Sequence, residues 1–144
     1  MNQNTDFDLQ DFMPYLLNQA AEHTSRGFET YYKSKYGMLR TEWRVIFHLG
    51  RCGKMTAKDI CDRARMHKTK VSRAVQSLEE KHYLHRKPLA NDRRHEVLEL
   101  TNDGEIIFND LHIEAQEFDK TLMARFTEDE QVQIRQLLIK ISDL

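Results

Sequence analysis

Apolar residues recur at helical spacing along most of the chain. Leu9, Phe12, Met13, Leu16, Leu17 and Ala20 share one face, predicting an amphipathic helix from about residue 8 to the low 30s. Pro14 falls near its first turns, where proline does least harm, and Gly37 is a stop signal behind Tyr31, Tyr32 and Tyr36. Thr41 reads as the N-cap of a short helix carrying Trp43, Val45, Ile46, Phe47 and Leu49, ended by Gly50 and Gly53. Thr56 to Asp59 has capping-box spacing ahead of a one-sided helix with Ala57, Ile60, Cys61 and Ala64 on its apolar face. A turn of four or five residues at about 64–67 leads to a further helix with Val71, Ala74, Val75 and Leu78 inward.

The pattern then changes period. Residues 83–87 and 96–100 each read as a strand, joined by a long basic tip over 88–95. Thr101 caps a helix whose stripe is Ile107, Leu111, Ala115, Phe118, Leu122 and Phe126. Thr127 to Glu130 is a full capping box opening a last helix, with Ile134, Leu137, Leu138 and Ile141 on its apolar face.

Composition narrows the classes. The chain has 144 residues, 40% hydrophobic and 31% charged, with Gly 5 and Pro 2, as expected of one helix-rich domain. No apolar run exceeds three residues, which excludes a transmembrane span and a signal-peptide core and predicts a cytoplasmic compartment. Two cysteines make neither a disulfide framework nor a zinc site. The net charge of −1 conceals a strong segregation. Residues 40–95 hold fifteen Lys/Arg against six Asp/Glu, and the flanks seven against seventeen. A basic middle points to a polyanionic partner.

Two short helices, a tight turn and a basic hairpin form a winged helix–turn–helix pattern. On a helical wheel Gln76, Thr69 and Arg73 lie roughly 140–200° from the inward Val71, with Lys70 at about 260° and Ser72 at about 100°. No acid interrupts this face before Glu79. Arg can bond guanine and Gln adenine through paired major-groove contacts, while Lys, Ser and Thr reach phosphates. The expected contacts to double-stranded DNA are therefore Lys68, Thr69, Lys70, Ser72, Arg73 and Gln76 from a recognition helix at about 67–81. Arg86, Lys87, Arg93 and Arg94 come from a wing at about 85–96, whose tip can enter a narrow minor groove. Asp92, repelled by phosphate, is expected to orient Arg94.

Residues 39–46 (Leu-Arg-Thr-Glu-Trp-Arg-Val-Ile) resemble the opening of the DNA-binding lobe of the multiple antibiotic resistance regulator (MarR) family. Lys70-Val71-Ser72-Arg73-Ala74-Val75 with Leu78-Glu79-Glu80-Lys81 resembles that family's recognition helix. Asp92-Arg93-Arg94 and Leu100-Thr101-Asn102-Asp103-Gly104 resemble its wing and the opening of its next helix. The match spans roughly residues 9–144. The resemblance implies a ligand-responsive homodimeric regulator, usually a repressor on a palindromic operator. His82-Tyr83 departs from it where many relatives carry glycine, which bears on the wing's angle.

The expected fold class is mainly α: a winged helix–turn–helix with N- and C-terminal dimerisation helices. Residues 1–144 form one domain, with dimer helices at about 8–36 and 102–144 and the DNA lobe at about 38–100. The apolar faces of the flanking helices exceed what one small lobe can cover, so an isologous homodimer is expected. The resemblance also implies an effector pocket at the junction, often for phenolic or aromatic acids. Here Phe12, Met13, Tyr31, Tyr32, Tyr36, Trp43, Arg44, His48 and Phe108 are the candidates, with Arg44 taking a carboxylate.

Other classes fare worse. Cys61 reads as a buried structural thiol, and Cys52 sits near a helix C-terminus that disfavours a thiolate. His23, His48 and His112 lack metal-ligand spacing. No phosphate loop or nucleophile elbow is present, so no enzyme and no cofactor is expected. The alternatives left open are a winged-helix protein-interaction module and a metal- or redox-sensing regulator of the same fold.

Overall fold

The computed structural model describes residues 6–89 and 91–143. Six helices and three strands follow in the order α1 (Met13–Tyr36), α2 (Arg40–Cys52), β1 (Met55–Thr56), α3 (Ala57–Ala64), α4 (Lys68–Glu80), β2 (Leu84–Leu89), β3 (Asp92–Leu100), α5 (Asn102–Met123) and α6 (Glu128–Ser142). The strands form one antiparallel sheet in the order β1-β3-β2. Buried residues of α1, α2, α3, α4, α5 and the sheet make one core, with Tyr32, Met38, Ile46, Ile60, Leu78, Leu98 and Leu111 at its centre.

Caps account for most boundaries. Asp8 opens a 3-10 turn at Leu9–Asp11, and α1 begins only after Phe12, with Pro14 in its first turn. The single helix expected from about residue 8 is therefore two pieces, because the Asp8 cap closes a tighter turn ahead of the proline. Gly37, at φ 62, ends α1. Helix α2 starts two residues earlier than a Thr41 cap would allow. Its N-cap is Leu39, whose N–H donates to Glu42 Oε2 at 2.7 Å.

Nor does Gly50 end α2. The helix runs on to Cys52, and the Phe108 ring of α5 lies where a Cβ at Gly50 would stand, so glycine here permits a close helix crossing. The Thr56–Asp59 capping box forms as expected, with bonds of 3.1 Å in both directions. The turn to α4 is shorter than expected, residues 65–67, and Arg65 takes it at φ 51.

The hairpin is also tighter. Strand β2 reaches Leu89 and β3 starts at Asp92, so the long tip over 88–95 is replaced by paired strands with a bulge between Pro88 and Leu89. Strand β2 is an edge strand, where a proline is tolerated. Strand β1, two residues pairing Met55 with Leu98 and Thr56 with Val97, is too short for any periodicity to announce. Helix α5 stops at Met123, leaving Phe126 beyond it, and α6 opens on the Thr127–Glu130 box.

One joint connects α4, the sheet and α5. Helix α4 ends in a left-handed turn: His82 N–H donates to Glu79 O at 3.0 Å and Tyr83 N–H to Leu78 O at 2.9 Å. His82 occupies the left-handed position at φ 63, where glycine fits without penalty. Thr101 Oγ1 donates to His82 O at 2.7 Å, and Thr101 N–H to Tyr83 O at 3.1 Å. Behind α4, Lys81 Nζ reaches the buried Glu42 carboxylate at 3.3 Å and Gly37 O at 3.1 Å.

Replacing His82 with Gly is expected to preserve every bond of this joint and relieve the left-handed strain. The expected gain is about 1 kcal/mol, or a rise in Tm of about 2–4 °C in thermal unfolding. An unchanged or lower Tm would show that the turn is not strained.

Candidate nucleic-acid interface

Helix α4 is divided by its own sequence. Val71, Ala74, Val75 and Leu78 are buried at 2% exposure or less, which fixes the helix by one face. Lys68, Thr69, Lys70, Ser72, Arg73 and Gln76 all lie exposed on the remainder. His67 caps the N-terminus, its Nδ1 accepting from Thr69 N–H at 3.2 Å. Lys68, Lys70 and Arg73 make no ion pair among the described residues, whereas the Gln76 amide leans on Glu80 Oε1 at 3.4 Å.

The wing cations are placed differently. Arg86 bridges Glu79 of α4 at 3.3 Å and Glu96 of β3 at 3.5 Å, tying the hairpin to the helix. Lys87 and His85 share Glu99, at 3.2 and 3.5 Å. The Lys87 bond and charge hold the Glu99 carboxyl below the usual carboxylate range. The backbone of Asp92, Arg93 and Arg94 lies in β3. Their side chains, and with them the expected Asp92–Arg94 pairing, lie outside the described residues.

The nine candidates for an effector pocket do not form one constellation. Tyr32, Trp43 and Arg44 line a cavity of about 260 Å³ between α1, α2 and α5, together with Phe28, Arg40 and Phe118. Burial, then the charge of Glu29, pushes the Tyr32 phenol up. His48 faces a second hollow with Arg63 and Arg65. Phe108 is packed between Gly50, Phe47 and His112. Phe12 is exposed beside Phe7, and Met13 lies against α6.

Tyr31 and Tyr36 are directed elsewhere. Both phenols donate to Asp110 of α5, joined by Lys35 Nζ at 3.0 Å. Burial works against the Asp110 charge, but donation from Tyr36, Lys35 and Tyr31 outweighs it and holds the carboxyl below its usual range. Burial and the Asp110 bond push the Tyr36 phenol up to about 12. Phe28, Arg40 and Phe118 were missed as cavity residues. The four-residue spacings Phe28–Tyr32 and Arg40–Arg44 were the available signal.

Cys61 is half-buried against the core and Cys52 is exposed. Among the described residues no three His, Cys, Asp or Glu are grouped to hold a metal, and no helix is long and apolar enough to cross a membrane.

Residues 36–95 match the sequence model of the MarR family. A MarR/EmrR family transcriptional regulator from Acinetobacter sp. ADP1 has a solved structure similar to this one at TM-score 0.85 and 29% identity, over 95% of this chain and 96% of that one. The chain is thus similar to the MarR family in sequence over residues 36–95 and to a MarR/EmrR regulator in structure over nearly its whole length. Two further solved structures are similar in fold at lower identity. One is Bordetella bronchiseptica BpsR, whose DNA binding is regulated by 6-hydroxynicotinic acid (TM-score 0.87, 20% identity, 96% and 98% of the chains). The other is S. aureus MepR, solved as a DNA complex (TM-score 0.81, 21% identity, 92% and 98%). The mainly α winged-helix class is thus the observed one, and the Asp110 cluster ties the two flanking helices α1 and α5 to each other.

That cluster has a pH signature. Its Asp110 carboxyl titrates lower folded than unfolded, so its stabilisation is present above the ordinary carboxylate pKa of about 4 and is lost as pH falls through the depressed value. The raised Tyr36 acts at the other end, its share lost as pH rises from about 10 through about 12. Urea unfolding against pH is expected to show both losses in the wild type and a flatter acid limb in Asp110→Asn. Superimposable acid limbs would contradict the assignment.

Proposed function

We propose that this chain is a MarR-type regulator: a homodimeric, ligand-responsive repressor that occupies a palindromic operator. The observation that carries this reading is α4: three cations, two hydroxyls and one amide exposed on a helix whose opposite face is sealed. Its Arg73 and Gln76 read base edges, while Lys68, Thr69, Lys70 and Ser72 hold phosphates. Arg86, Lys87, Arg93 and Arg94 bring the wing to the adjacent minor groove, with Asp92 steadying Arg94. The protein acts by occupying DNA, without catalysis or cofactor, in the cytoplasm.

Residues 1–144 act as one unit, with about 8–36 and 102–144 as dimer arms around the lobe at about 38–100. The exposed apolar residues of α6 support the dimer: Leu137 is 63% exposed and Ile141 52%, with Val132, Leu138 and Ile139 beside them. A stripe this apolar on a helix end calls for a partner surface, and a twofold copy supplies the same stripe in return. Twofold symmetry sets the recognition helices about 34–36 Å apart, one turn of DNA.

The cavity between α1, α2 and α5 suits an aromatic acid, its ring among Phe28, Tyr32, Trp43 and Phe118 and its carboxylate on Arg40 or Arg44. BpsR, regulated by an aromatic acid, supports this chemistry. Because the cavity joins arm to lobe, an occupant alters the separation of the two lobes. Coupling of this kind is worth ~1–3 kcal/mol.

Two experiments test the reading. In duplex titrations, Arg73→Ala is expected to lose ~1–3 kcal/mol and relax selectivity at one base pair, while Lys70→Ala weakens all sequences alike. Unchanged selectivity in Arg73→Ala would remove α4 as the reading element. In sedimentation, Leu137→Asp is expected to give folded monomers with little operator affinity; a dimer that binds normally would remove α6 from the interface.

A further inference from the structure

A second cavity, of about 400 Å³, lies between α2 and the turn that joins α3 to α4. Its apolar wall is aromatic: Trp43 and Phe47 meet edge to face, ring centroids 5.5 Å apart. The rest of its rim is basic, with Arg44 and His48 from α2 and Arg63 and Arg65 from the far side. None of its lining residues is acidic. Asp59, one turn before Arg63, is committed to the Thr56 cap. Among the described residues Arg44 and Arg63 have no carboxylate within ion-pair distance, and Arg63 Nη1 rests only on Cys52 Sγ at 3.6 Å. Burial, then the charges of Arg63 and Arg44, lowers the pKa of His48, which places both guanidiniums close to the imidazole.

We propose that this cavity is a second ligand site, for a small aromatic anion carrying two negative charges, such as an aryl phosphate or a benzene dicarboxylate. A monocarboxylate satisfies one guanidinium through two bonds. Three guanidiniums around one hollow call for more charge, and the Trp43–Phe47 wall receives a flat ring. The volume lies within the range of small-molecule sites. The site differs from the cavity between α1, α2 and α5: the two share Trp43 and Arg44, but only this one has Arg63, Arg65 and His48, and only the other has Arg40.

Arg65 connects this site to the rest of the fold. It sits in the turn before the recognition helix, and its Nη1 and Nη2 donate to Ser142 O at 2.6 Å and Asp143 O at 3.0 Å, at the end of α6. A dianion that draws Arg65 into the hollow takes donors from the α6 terminus. The bound state then reaches both the dimer arm and α4.

The test needs only the full-length protein without DNA, so it stands apart from the regulatory reading. Calorimetric titration with phenyl phosphate and with phthalate is expected to show binding about tenfold or more tighter than benzoate. Arg63→Gln should weaken the dianions about tenfold or more, Arg63→Lys should weaken them less because it keeps the charge but loses the paired bonds, and Arg40→Gln should leave binding unchanged. On binding, the His48 imidazole should titrate at higher pH by NMR as the anion offsets its cationic neighbours. Equal weakening by Arg40→Gln and Arg63→Gln would assign the dianion to the other cavity and overturn the proposal. So would dianion binding that Arg63→Gln leaves intact while duplex affinity falls, since Arg63 would then be a DNA phosphate contact. Absence of dianion binding at millimolar concentration would overturn it as well.

Discussion

Everything the lobe does depends on α4 being held by one face only. Val71, Ala74, Val75 and Leu78 lie against α2 and α3 with almost no exposure, so rotation of the helix about its axis would bring Arg73 or Lys70 into the core. Burying an unpaired cation there is prohibitive compared with the few kcal/mol that hold a domain together. The polar face is therefore fixed by what the apolar face cannot give up. Lys81 adds an anchor at the far end, where the Glu42 carboxylate both caps α2 and receives its ammonium. Such a pair adds little net stability, but removing Lys81 strands the buried Glu42 carboxylate, so the contact favours one register between α2 and α4.

The second constraint is the joint at 81–83 and 101–104. Recognition helix, wing and α5 are joined there by main-chain bonds and one hydroxyl, with no intervening loop to absorb motion. The Tyr83 carbonyl occupies the space a Cβ on Gly104 would need. A tilt of α5 is thus transmitted to the end of α4 and the root of the hairpin. At its middle α5 is clamped to α1 through Asp110, and beyond that the arm carries apolar surface that a single chain leaves open. Charge segregation in the sequence follows this division: the cations lie on the lobe and the excess acids on the arms.

Much of this was legible in the residues. Helical periodicity gave the inward face of α4 position by position, because 3.6-residue spacing is a local property. Thr56, Thr101 and Thr127 gave three helix starts, since each cap is made within four residues. What failed was decided across the chain. The continuation of α2 through Gly50 depends on Phe108, fifty-eight positions away. Strand β1 exists only because β3 passes it, and the extension of the hairpin to Leu89 and Asp92 depends on pairing rather than propensity. The effector candidates were gathered by residue type alone. Aromatic residues one helical turn apart face the same way only if the turn count is right, and Tyr31 and Tyr32 differ by one residue and about 100°. That step sends Tyr31 to Asp110 and Tyr32 to the cavity.

The central claim is that two copies of the α4 face meet DNA at the spacing of one helical turn. It is tested most directly by the affinity of the purified protein for the intergenic duplex upstream of its own gene, measured across a range of salt. The account predicts that log Kd rises linearly with log salt, with a slope worth several phosphate contacts. A scrambled duplex of the same length should bind far more weakly at every point. Indifference to that duplex at low ionic strength, or equal affinity for the scrambled one, would contradict it.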